Sequence, residues 1–288
     1  MHLPRLKTIG GVHKRNIARL VFRRPHNVRL DVPLISFTFD DFPRSALHAG
    51  GEILKTHGCA GTFYVSLGCL GQESPSGRLC SADDVIEAVE DGHELGCHTF
   101  SHCHSWNTNS AAYEQSILQN QATLSAIIPG ARFLSFAYPI SAPRPSVKRV
   151  ASRYFECCRE GGQKPNVGTV DLHQLGAYFL EKSRGDVEPV KQVIDRNSQM
   201  RGWLVLATHD VADAHGPYGC TPTFFLEVVK YAVQSGARIA PVGRALELLG
   251  VRLHVRGRDA QNISAKCART VSGQPELLLR EERAPLSG

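Results

Sequence analysis

The sequence predicts a parallel α/β fold, either an open sheet or a closed barrel. Three observations carry this. Strand-like and helix-like segments alternate about seven times over roughly 215 residues. The clearest strands, 34–40 (LISFTFD) and 202–208 (GWLVLAT), are nearly continuous apolar runs, as strands covered on both faces must be. Chemically able residues stand just beyond the strand ends: Asp40 and Asp41, His98, Tyr138, Arg159, and His209 with Asp210.

Each element has a local reason. Residues 34–40 alternate or run apolar until two acids and Pro43 stop the strand. Residues 45–57 have helical spacing (Ala46, Leu47, Ala49, Ile53, Leu54) and stop at Gly58. The β-rich run 61–67 is the second strand. Residues 68–79 read as a loop from their Gly, Ser and Pro. Ser81 suits a helix N-cap, with Asp83 and Asp84 in the first turn, and that helix reaches Glu90 before Gly92. A third strand covers 93–97, an amphipathic helix 111–128 and a fourth strand 133–138. A short helix at 146–152 precedes a strand at 154–158 and a loop at 161–169. A weaker strand follows at 176–180 and a helix at 187–200. The strongly apolar strand 202–208, a helix at 221–234, a strand at 237–240 and a closing helix at 242–249 complete the pattern.

Composition bounds the function. The chain has 288 residues, 42% hydrophobic and 21% charged, which suits one large domain or one domain with tails. The expected divisions are a basic extension at 1–32, a catalytic domain at 33–250 and a C-terminal extension at 251–288. No apolar run approaches the roughly 20 residues of a membrane span. The first thirty residues carry eight Lys/Arg and no Asp/Glu, and supply much of the net charge of +6. A solvated tail is the expected state of this arm, and no nucleic-acid partner is expected. No apolar core of a secretory signal follows it, so a cytoplasmic location is expected. The nine cysteines form no CxxC pair and are expected to be reduced, mostly buried small residues.

Adjacent acids after a buried strand are costly unless a cation or a reaction uses them. The third strand runs into GCHTFSH, with His98 and His102 four apart. On a helical turn, that spacing lets two imidazoles reach one ion. One carboxylate added to them makes a two-histidine, one-carboxylate site with open positions. His209 ends the most apolar strand and is expected to face the strand-end cavity.

TFDD at Thr38–Asp41 followed by HTFSH at His98–His102 resembles the polysaccharide deacetylase (NodB homology) family, carbohydrate esterase family four. The resemblance spans about 34–250 and implies a distorted parallel β/α barrel and a divalent metal ion, usually zinc. It implies hydrolytic removal of acetyl groups from sugars such as N-acetylglucosamine polymers or chitooligosaccharides. Carried over by position, it makes Asp41, His98 and His102 the metal ligands. Asp40 becomes the general base that takes a proton from the attacking water, and His209 the general acid that protonates the leaving amine.

The departures are informative. The family's glycine after the acids is Phe42 here. The third family motif corresponds to FAYPIS, 136–141: Pro139 matches, but Ala137 replaces an arginine and Ile140 a tyrosine. Arg159 is a candidate to supply the missing charge to Asp40. Asp171, ahead of Asp186, is the candidate to orient His209. Tyr138 is expected as a pocket wall, and a backbone N–H near Pro139 and Ile140 as an oxyanion donor. Trp106, Tyr218 and Phe42 are candidate stacking platforms for a sugar ring. Two rival readings remain open: an amide hydrolase of a small non-sugar substrate, and a non-catalytic sugar-binding relic. Oligomeric state is left open.

Overall fold

The computed structural model describes residues 16–140 and 142–253. The strands are β1 (Pro25–Val28), β2 (Leu34–Phe39), β3 (Thr62–Val65), β4 (Glu94–Cys97), β5 (Ser135–Ala137), β6 (Cys157–Gly161), β7 (Gly168–Asp171), β8 (Leu175–Phe179), β9 (Trp203–Thr208) and β10 (Arg238–Ile239). Seven of them run parallel in the order β2-β3-β4-β5-β6-β8-β9, and β9 pairs back onto β2 from Trp203↔Leu34 to Thr208↔Phe39, closing a barrel. The other edge of β2 is shared: β10 takes Leu34 and Ile35, and β3 takes Thr38 and Phe39. This wedge distorts the barrel.

The helices are α1 (Glu52–Thr56), α2 (Ala82–Glu90), α3 (Ser110–Ile127), α4 (Pro145–Ala151), α5 (Glu188–Met200), α6 (Pro222–Gln234) and α7 (Val242–Leu248). A π-helical turn at Ala46–Gly51 leads into α1. Gly50 allows its close approach, since a Cβ there would lie 2.8 Å from the Phe39 ring. At α2, Ser81 and Asp84 form a reciprocal capping box. None of the helices among the described residues is long and apolar enough to cross a membrane.

Strand alternation sorts the side chains into two cores. Ile35, Phe37, Phe39, Leu204 and Leu206 face the helices within one cluster. Leu34, Cys157, Leu175, Ala177, Trp203, Val205 and Ala207 form the other, inside the barrel, joined by Val242, Ala245 and Leu246 of α7. On the inward face Ser36 donates to the Ala240 carbonyl and accepts from the Trp203 indole. Gly96 makes room for the fully buried Tyr64, whose ring lies 2.3 Å from where a Cβ would stand.

Glu94 also points inward, and burial pushes its carboxyl up to about 7, although Gly243 N–H (2.5 Å) and Ser135 Oγ (3.1 Å) donate to it. Between the ordinary carboxyl value and about 7 the folded chain holds a proton that the unfolded chain has released. Stability therefore falls as pH rises through that window. Glu94→Gln is expected to flatten this slope and to stabilise the protein above neutrality by up to roughly 3 kcal/mol, read by denaturant titration across pH.

Several expectations meet a different arrangement. Packed structure does not begin at 33: β1 pairs antiparallel with β7, and Ala18 and Val28 are buried. Nor is 16–28 a solvated tail, because the buried Lys148 Nζ donates to the Ala18 carbonyl. The strand expected at 154–158 is shifted to Cys157–Gly161, where it meets Ser135 in register, while Phe155 stacks on Phe136. The expected loop 68–79 contains a short hairpin, Glu73–Ser74 with Gly77–Arg78. Apart from 251–253, the expected C-terminal extension lies outside the described residues. The described cysteines are free thiols, five of them buried: Cys80, Cys97, Cys157, Cys158 and Cys220.

Candidate active site

The inward positions of the barrel strands deliver the site. Leu34, Ser36, Thr38 and Asp40 share one face of β2, so Asp40 arrives at the carboxyl-end mouth. Cys157 and Arg159 share the inward face of β6. The Arg159 guanidinium donates to Asp40 Oδ1, and both side chains are buried. Arg159 also lies over the rings of Tyr64 (4.5 Å) and Phe179 (5.7 Å). The cation expected from Ala137's position thus comes from the neighbouring strand.

After Asp40 the backbone turns left-handed, with φ +62° at Asp41 and +52° at Phe42. Strict alternation would send Asp41 outward; this turn keeps its carboxylate at the mouth. His102 Nε2 lies 3.0 Å and His98 Nε2 3.5 Å from Asp41 Oδ1. The His98 Nδ1 lies 2.9 Å from the Ala137 carbonyl, which can only accept. That hydrogen bond places the proton on Nδ1 and leaves the Nε2 lone pair facing the site. The turn after β4 is strained as well, with φ +62° at Thr99 and +50° at His102.

The charges agree with this layout. Burial pushes His98 down to about 4, against the pull of Asp40 and Asp41, so the ring is neutral. Burial opposes both charges of the Asp41–His102 pair, but their hydrogen bond prevails, lowering the Asp41 carboxyl and raising His102. The ligand atoms of Asp41, His98 and His102 all lie within 4.8 Å of one another. Two imidazoles and a carboxylate, one ring already locked in tautomer, fit a divalent transition metal. His48, Asp84 and Glu87 form a second such group among the described residues. There Arg44 donates to both Asp84 and His48, so a guanidinium already supplies the positive charge.

His209 follows β9, with its ring between Phe179 (6.3 Å, stacked) and Tyr218 (5.2 Å). Its Nδ1 is buried and finds no hydrogen-bond partner among the described residues. Asp171 does not serve it. The Asp171 carboxylate accepts from Lys148 Nζ (2.6 Å), Arg24 N–H (2.9 Å) and His173 N–H (3.0 Å), anchoring the β1–β7 ribbon. Asp186 is exposed and accepts from the Glu188 N–H. Two acids do interact electrostatically with His209: Asp41, and Glu181, which the sequence reading missed. Register pairs Phe179 with Ala207, and two residues on from each stand Glu181 and His209. Burial raises the Glu181 carboxyl, the His209 charge opposes this, and Glu181 Oε2 is buried with no hydrogen-bond partner among the described residues. An acid two residues past a strand end was the available signal.

The expected substrate contacts divide. Phe42 is fully buried and packs on Phe63 with centroids 4.7 Å apart, so it is no stacking platform. The second left-handed residue returns the chain to the outer, apolar layer. Phe42→Ala is expected to cost about 3–5 kcal/mol of stability. Phe42→Gly, which relieves the left-handed backbone, is expected to be no worse; chemical denaturation compares them. Tyr138 is buried core rather than pocket wall: its ring packs on Phe136 and its hydroxyl donates to the His173 carbonyl (3.1 Å). The half-buried Trp106 donates its indole N–H to the Ala142 carbonyl (2.8 Å), bridging two loops. Pro139 is buried, and Ile140, with φ +66°, is 63% exposed. Tyr218, 47% exposed, packs against His209 and keeps part of its ring open.

Residues 27–154 match the family described as polysaccharide deacetylase. None of the curated proteins matches the chain in sequence. Among solved structures, the fold is similar to a family 4 acetyl xylan esterase from Clostridium thermocellum in complex with cobalt, with TM-score 0.55, 20% identity, 76% of this chain and 93% of that one covered. It is similar to a peptidoglycan deacetylase from Bacillus subtilis, with TM-score 0.52, 17% identity, and 83% and 98% covered. It is also similar to a family 4 pseudoenzyme from Bacillus anthracis, with TM-score 0.55, 14% identity, and 78% and 68% covered. Over residues 27–154 the chain is therefore similar to polysaccharide deacetylases, and its fold is similar to that of family 4 carbohydrate esterases.

Proposed function

We propose that the protein is a metal-dependent hydrolase that removes acetyl groups from an N-acetylated sugar, of the chitooligosaccharide kind. The observation that carries this is the convergence, at one barrel mouth, of the buried Asp40–Arg159 pair with the Asp41, His98 and His102 cluster. Asp41, His98 and His102 would hold the metal, and their nitrogen and oxygen donors suit Zn2+. Such a metal, when bound, polarises the acetyl carbonyl and lowers the pKa of water.

The chain's own residues do the rest. Asp40, ion-paired with Arg159, accepts the proton of the attacking water. His209 gives a proton to the leaving nitrogen, its ring steadied between Phe179 and Tyr218. The Ile140 N–H donates to the developing oxyanion. Tyr218 stacks on the sugar ring. Glu181 takes the orienting role for His209 that Asp171 does not fill.

A second reading, hydrolysis of a small non-sugar amide, is favoured by the commitment of Phe42 and Trp106 to packing and loop bridging, which leaves one open aromatic. The relic reading is disfavoured, because a binding relic has no use for five separate chemical parts. Acetate release from acetylated chitooligosaccharides and from small amides, with and without chelator, tests all three. Chelator-sensitive release from the sugars alone is expected. Release from the amides alone selects the second reading, and release from neither overturns the catalytic proposal.

A further inference from the structure

We propose that the segment 16–23, with the α4 surface beside it, is a docking site for an anionic lipid bilayer. The segment is fixed to the body. Ala18 is fully buried and its carbonyl accepts from Lys148 Nζ at 2.6 Å. Phe22 adopts φ +52°, and its carbonyl accepts from His173 Nδ1 at 3.1 Å. With those anchors inside, three large apolar side chains remain outside: Ile17 at 47%, Leu20 at 74% and Phe22 at 43% exposure. Leu20 is the most exposed large hydrophobic residue among those described.

Cations frame them. Arg19 and Arg23 are exposed in the segment, and the exposed Arg149 of α4 lies over the Phe22 ring at 6.0 Å. Arg24 is committed to Glu156, and Arg23 lies 4.0 Å from Asp171, whereas Arg19 and Arg149 make no ion pair among the described residues. The first thirty residues hold eight Lys/Arg and no acid. Apolar tips ringed by cations suit the boundary between acyl chains and negative headgroups, where the tips leave water and the cations meet phosphate. A nucleic acid would use the cations but would leave Leu20 without a role. The proposal is independent of the catalytic reading.

Co-sedimentation of the full chain with vesicles of phosphatidylcholine, with and without phosphatidylglycerol, tests it. The wild type is expected to sediment with the anionic vesicles only, and less as salt rises. Leu20→Asp is expected to weaken that binding about tenfold or more, by removing one buried leucine. Arg19→Glu is expected to weaken it several-fold. Both positions are exposed, so melting temperatures should match wild type. Absence of sedimentation with anionic vesicles overturns the proposal, as does binding that Leu20→Asp leaves intact, the result for purely electrostatic or nucleic-acid contact. Binding that arises only after deletion of residues 2–15 overturns it in favour of that segment as the occupant. Lipid-free self-association that Leu20→Asp abolishes overturns it in favour of a second copy.

Discussion

Asp40→Asn is expected to abolish most acetate release, by about a hundred- to ten-thousandfold, and to destabilise the fold at the same time. The first effect follows from losing the proton acceptor. The second follows from Arg159, whose buried guanidinium would face a neutral amide. A buried charge stripped of its partner costs about 3–5 kcal/mol, and the remaining amide oxygen softens this by accepting one hydrogen bond. The double variant Asp40→Asn with Arg159→Met separates the two roles: melting temperature should recover toward wild type, while acetate release should not. Full activity in Asp40→Asn would show that another group is the base.

His98→Ala carries the other large effect. Metal analysis of the purified wild type should give about one ion per chain, and of the variant none. Acetate release should fall by more than the roughly 10–100-fold that follows loss of a ligand's own hydrogen-bond partner. Acidification should mimic the variant in stages. Burial keeps His98 neutral down to about 4, whereas the Asp41 hydrogen bond raises His102. His102 is therefore the ligand that protons claim first, so metal affinity is expected to decline from its titration range downward in pH. A wild type that binds no metal, with His98→Ala indistinguishable from it, would remove the metal site from the mechanism.

Much of this was legible because local rules and tertiary needs agree. Apolar runs bounded by acids, Gly or Pro announced the barrel strands. An acid pair and an HxxxH beyond strand ends announced a site. The segment 157–161 was harder, because its start is set by pairing with Ser135 rather than by its own composition. Residues 16–28 looked like a tail because their charge is all of one sign; a buried Lys148 and a strand pairing hold them in place.

Three assignments depended on direction rather than on identity. Phe42 looked like a pocket residue from its place beside the acids, yet two consecutive left-handed residues turn it into the outer core. Asp171 and Glu181 are both acids near strand ends, and only register shows that Glu181 stands level with His209 while Asp171 belongs to the ribbon. The sequence by itself determined the parallel α/β class, the Asp40–Asp41 and His98–His102 motifs and the chemistry they suit, because period and motif spacing are local properties. The tertiary structure alone decided that Arg159 meets Asp40, that Glu181 and not Asp171 stands beside His209, and that Phe42, Tyr138 and Trp106 serve the fold. Those outcomes depend on which barrel face a side chain takes and on which strands are neighbours, and closure of the sheet sets both.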